Sequence, residues 1–86
     1  MAEIGNAGVT MKEWVRMTVQ ILVDEPEKVT VNEFAGEYSV TLEVSVGKGD
    51  MGKLVGKNGK HANNIRGLMQ AASGKDKKRY ILSIID

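Results

Sequence analysis

Gly56-Lys57-Asn58-Gly59 places the tightest constraint on how this chain can fold. The apolar pair Leu54-Val55 stands directly before it, and the run from Lys60 to Ser73 directly after it reads as a helix. Glycine visits backbone conformations closed to other residues and lets main chain approach a neighbour closely. A tight corner leading into a helix is therefore expected here. The N–H groups that open a helix favour negative charge, and Lys57 and Lys60 add cations at the same spot. Such a corner suits a phosphate held by main chain.

The net charge of +1 conceals a segregation along the chain. Residues 1–46 carry three basic and eight acidic side chains, net −5, whereas residues 47–79 carry nine basic and two acidic ones, net +7. A basic block around the glycine corner is the electrostatic footprint of a polyanion binder.

Eighty-six residues suffice for one core and leave no room for a second. Residues 10–86 read as a single domain behind a loose, aperiodic tail at 1–9. No cysteine is present, so there is no disulfide framework and no thiolate zinc site. His61 is the one histidine and has no carboxylate cluster beside it, so neither a metal nor another cofactor is expected. The first nine residues lack the basic start and apolar stretch of a signal peptide. No apolar run approaches the ~20 residues of a membrane span. These features predict a soluble, cytoplasmic protein with no membrane partner.

Thr10, with Glu13 three residues on, reads as a capping box opening a helix that Pro26 ends. Lys12, Arg16, Gln20 and Asp24 form its polar stripe. Trp14, Val15, Met17, Val19, Ile21, Leu22 and Val23 fill an apolar arc wider than one core contact requires, which points to a partner surface. Lys28 to Phe34 reads as a strand and Ala35-Gly36-Glu37 as a turn. From Tyr38 to Val46 apolar and polar residues alternate without a fault, the mark of a strand with one buried face. Asp50 is placed to cap a short helix through Val55. Ala62, Ile65, Met69 and Ala72 recur at helical spacing, Ser73 to Lys78 is a basic loop, and Arg79 to Asp86 is a last strand. Two helices between the second and third strands make a crossover long enough to join parallel strands. The expected fold is α+β, in the order helix, strand, strand, helix, helix, strand, with a three-stranded mixed sheet and all helices on the face of Val40, Leu42 and Val44.

Two nucleotide motifs match residues 47–54 only in part. Gly47, Gly49 and Gly52 fit the spacing of a dinucleotide loop, but the further parallel strands and the acidic residue about 20 positions on are missing. Gly47, Gly52 and Lys53 fit much of a phosphate-binding P-loop, but Leu54 stands where a magnesium-binding hydroxyl is required. No nucleophile–base pair is visible, and His61 reads as an exposed residue of a helix's first turn. The chain is not read as an enzyme, and no small-molecule substrate is expected.

The stretch Leu54 to Gly59, followed by Ala62 and Ile65, resembles the KH-domain signature, in which a GxxG loop joins two helices and clamps single-stranded nucleic acid. The order of elements resembles the bacterial, type II arrangement. From Met11 onward the chain is similar to the small stand-alone bacterial KH proteins of the KhpA type. Val31-Asn32-Glu33, Asp50 to Lys53, Ile65-Arg66 and Lys78-Arg79 carry the likeness beyond the loop. Ala62 departs from it, standing where KH domains usually carry a bulky aliphatic residue; the groove floor is expected to be shallower. His61 also replaces an apolar residue expected in this family.

The resemblance implies single-stranded RNA as the partner, bound without chemistry, and a role as RNA chaperone or post-transcriptional regulator. Gly56 and Gly59 would admit the RNA backbone, Lys57 and Asn58 would face phosphates, and Lys53 and Lys60 would flank the loop. Bases would lie against Val55, Ala62 and Ile65, with Arg66 beside them. Lys75, Lys77 and Lys78 of the variable loop would close the far side. Residues 47–79 hold no aromatic side chain, so stacking platforms of the RRM kind are not expected from them. The alternative is a protein–protein module that pairs with itself, as a homodimer, or with a larger Jag-type KH protein.

Overall fold

The computed structural model describes residues 10–73 and 78–85. The tail expected at 1–9, together with Lys75 and Lys77, lies outside the described residues. Helix α1 spans Met11–Leu22 and opens on the expected capping box. Thr10 Oγ1 accepts the Glu13 N–H at 3.1 Å, and Glu13 Oε1 accepts the Thr10 N–H at 3.3 Å. Val15 and Val19, one turn apart, face fully inward.

The helix ends at Leu22, earlier than expected from Pro26. Val23 is already extended and buried in the core, which stops the helical turn. Pro26 instead begins a single 3-10 turn over Pro26–Lys28. The Val29 N–H donates to the Pro26 carbonyl at 3.2 Å, so the first strand starts later than Lys28.

Strand β1 covers Thr30–Ala35, β2 covers Ser39–Ser45 and β3 covers Arg79–Ile84. β2 is central: it runs antiparallel to β1 and parallel to β3. Between β2 and β3 the chain forms α2, Met51–Val55, and α3, Lys60–Ser73. Val31 pairs with Val44, Leu42 with Leu82, and Val44 with Ile84. These pairings set Val40, Leu42 and Val44 on one face, buried against α1, α2 and α3. Val15, Val19 and Val23, Leu54, Ile65 and Met69, with Val29, Val31 and Leu82, share that core.

The expected α+β order and mixed sheet are therefore present. Among the described residues no helix is long and apolar enough to cross a membrane.

Candidate nucleic-acid interface

The corner between α2 and α3 turns on three residues at positive φ: Gly56 at 80° with ψ extended at 171°, Gly59 at 74°, and Asn58 at 58° in the left-handed helical region. Asparagine is among the few residues besides glycine that tolerate this region. The Gly56 N–H donates to the Gly52 carbonyl at 2.8 Å, and the Gly59 N–H to the Gly56 carbonyl at 3.1 Å. Lys57 and Asn58 stand exposed at the tip.

The two glycines face different surroundings. A Cβ on Gly56 would stand 2.7 Å from Cγ of His61 and 2.9 Å from its backbone nitrogen, so this position is closed by packing. A Cβ on Gly59 would meet only Asn63 Nδ2, at 3.7 Å. Gly59 is the glycine that leaves main chain open to an approaching molecule.

Gly59 lies on the rim of a groove of about 390 Å³, lined also by Met51 and Val55 of α2, Ala62, Asn63 and Arg66 of α3, and Ile84 of β3. Arg66 also borders an adjoining hollow between α3 and β3, with Gln70, Arg79, Tyr80, Ile81 and Leu82. The Gln70 amide donates to the Tyr80 carbonyl and braces that end of the groove.

Of the residues expected here from sequence, Val55, Gly59, Ala62 and Arg66 line the groove together. Ile65 does not. It is 3% exposed and packs in the core, because its phase on α3 matches that of Met69 rather than that of Asn63 and Arg66. Met51, Asn63 and Ile84 were not expected by name. Met51 lies four residues before Val55 on α2, and that spacing is the signal for it.

The lysines differ in how free they are. Lys53 Nζ lies 3.1 Å from the Asp24 carboxylate. Hydrogen bonding to Asp24, and then the charge of Asp24, raise the Lys53 pKa above its ordinary 10.5. Lys57, Lys60, Lys78 and Arg79 are exposed, and make no ion pair among the described residues. Arg66 likewise makes no ion pair among the described residues and donates to Asn63 Oδ1 at 3.4 Å.

Two sequence expectations about nearby residues are corrected. His61 is half-buried rather than exposed, and its Nδ1 lies 2.8 Å from the Lys53 carbonyl oxygen. Asp50 occupies the cap position of α2 but makes no capping bond; its side chain reaches back to Glu25 instead. The segment running into β1 passes close to α2, and Asp50 serves that contact.

Comparison with known proteins agrees with this architecture. The family model described as the KH domain of KhpA/KhpB matches residues 12–84. The chain is 47% identical over 75 residues to the RNA-binding protein KhpA of Clostridium perfringens, covering 87% of this chain and all of that one. It is 47% identical to the KhpA of Caldanaerobacter subterraneus over the same shares of each chain. Against the KhpA of Chlamydia trachomatis it is 37% identical over 76 residues, 88% of this chain and 97% of that one. No solved structure matches the chain significantly. With the family model spanning residues 12–84 and relatives matched over nearly their whole length, the chain belongs to the KhpA/KhpB family of KH-domain proteins.

Proposed function

We propose that this chain binds single-stranded RNA without chemistry, holding the sugar–phosphate backbone at Gly56–Gly59 and the bases in the adjoining groove. The observation that carries this reading is the open main chain at Gly59, at the rim of a groove that Arg66 also borders. N–H groups in the first turn of α3 favour an anion there. Lys57 and Lys60 supply positive charge on either side, and Lys78 supplies it at the start of β3. The relatives' name as RNA-binding proteins supports RNA as the polyanion. Val55 and Ala62 offer an apolar floor for bases, and the small Ala62 keeps it shallow. A domain of this kind would act as an RNA chaperone or post-transcriptional regulator.

Changing Lys57 and Asn58 together to Asp tests the clamp. Both side chains are exposed, so the thermal transition should stay within a few degrees while affinity for a labelled RNA oligonucleotide is lost. Retained affinity in that variant overturns the reading.

A second reading, pairing with another copy or with a larger KH protein of the Jag type, is favoured by one observation. On α1, Ile21 is 83% exposed and Met17, one turn away, 43%. Sedimentation with and without RNA separates the two: a tight dimer indifferent to RNA favours pairing.

A further inference from the structure

The His61 ring connects two features of the corner that the binding reading leaves unexplained: the free end of α2 and the closed position at Gly56. With five residues, α2 is too short to hold its own end. The carbonyl of Lys53 belongs to its last turn, where acceptors lack helical partners. His61 sits in the first turn of α3 and offers Nδ1 to that carbonyl at 2.8 Å. One side chain thus ties the end of one helix to the start of the next, bracketing the loop between them. Its Cγ edge also fills the space that a side chain on Gly56 would need.

We propose that His61 is the positioning residue of the clamp, holding the Gly56–Gly59 main chain in the form that receives a phosphate. The inference rests on the RNA-binding reading above. A carbonyl oxygen only accepts, so Nδ1 must carry the proton, which fixes the ring's tautomer when it is neutral. Without the ring, Gly56 keeps its main-chain bonds to Gly52 and Gly59 but loses the packing beside it, and glycine has many conformations besides φ 80° open to it. RNA would then have to order the loop on binding, and affinity falls by that cost.

Three measurements test this, using the full chain and a labelled single-stranded RNA oligonucleotide. Imidazole nitrogen NMR of the free protein should show the Nδ1–H form. His61→Ala should speed amide exchange at residues 56–60 and weaken RNA binding about fivefold, the worth of one net hydrogen bond. His61→Asn returns an amide N–H near the place of Nδ1, and should restore both slow exchange and affinity to within about twofold of wild type. An Nε2–H tautomer, unchanged loop exchange in His61→Ala, or an Asn variant no better than the Ala variant each overturns the proposal. Failure of the RNA reading is distinguishable: the wild type would leave the oligonucleotide unbound, while tautomer and exchange still decide whether His61 holds the loop.

Discussion

The Asp50 carboxylate, 3% exposed, accepts the backbone N–H of Glu25 through Oδ2 at 2.9 Å, across 25 residues of chain. That bond ties the connector after α1 to the first turn of α2. Beside it, a Cβ on Gly47 would stand 2.7 Å from Glu25 Oε1, so the two segments are in close contact. The position of α2, and with it the start of the glycine corner, is set from this side by residues remote in sequence.

Replacing Asp50 by Ala leaves the part-buried Glu25 N–H without its acceptor. A loss of about 1–3 kcal/mol is expected. Asp50→Asn keeps an acceptor oxygen and should lose less. Urea unfolding reads both, and the midpoint should fall with the slope unchanged. Equal stability of Asp50→Ala and wild type would mean that the bond anchors nothing.

The two loop glycines should respond unequally to Ala. Gly56→Ala incurs the strain of φ 80° and a clash 2.7 Å from the His61 ring, whereas Gly59→Ala incurs only the strain of φ 74°. A side chain at positive φ costs about 1–2 kcal/mol; Gly56, with ψ 171°, sits in a region open essentially to glycine alone, so with the added clash Gly56→Ala should be the less stable variant by a further ~1 kcal/mol or more. Gly59→Ala should act more on RNA affinity, because its methyl stands on the groove's rim. Thermal unfolding beside RNA titration of both variants checks the crossover; the reverse order of effects would contradict the assignment of the two positions.

If RNA binds as proposed, Asp24, 3.1 Å from Lys53 Nζ, would compete with its phosphates for that lysine. With the Lys53 pKa raised, the attraction between the pair is whole below its ordinary value of 10.5, and fades only as pH rises through the raised one. Asp24→Asn should therefore raise RNA affinity about twofold at low salt, with a gain that shrinks at high salt. If Lys57, Lys60 and Arg66 neutralise about three phosphates, the log–log salt slope for wild type lies near about −2, and freeing Lys53 steepens it by about 0.7. A flat salt dependence for wild type would argue against a backbone clamp altogether.

The β2 strand and α3 could be read directly. Val40, Leu42 and Val44 alternate with polar residues, and Ala62, Ile65 and Met69 recur at helical spacing; both patterns are local and repeat within a few residues. The capping box at Thr10 and Glu13 is equally local. Local signals overlap at the end of α1. Pro26 ends a helix or opens a turn with equal ease, and only the burial of Val23 decides that α1 stops at Leu22.

Sequence alone thus determined the order of elements, the face of the sheet that is buried and the glycine corner, since each depends on side-chain period or backbone freedom within one segment. Tertiary structure decided the roles of Asp50, Lys53, Ile65 and His61. Asp50 reaches Glu25 and Lys53 reaches Asp24 across more than twenty residues, and Ile65 turns inward with the phase of α3 against the sheet. His61 meets Lys53 only because the loop folds one helix back beside the other. Whether a polar side chain caps, pairs, packs or stays free depends on what the fold brings within hydrogen-bonding distance of it, and such distances appear only once the chain has closed on itself.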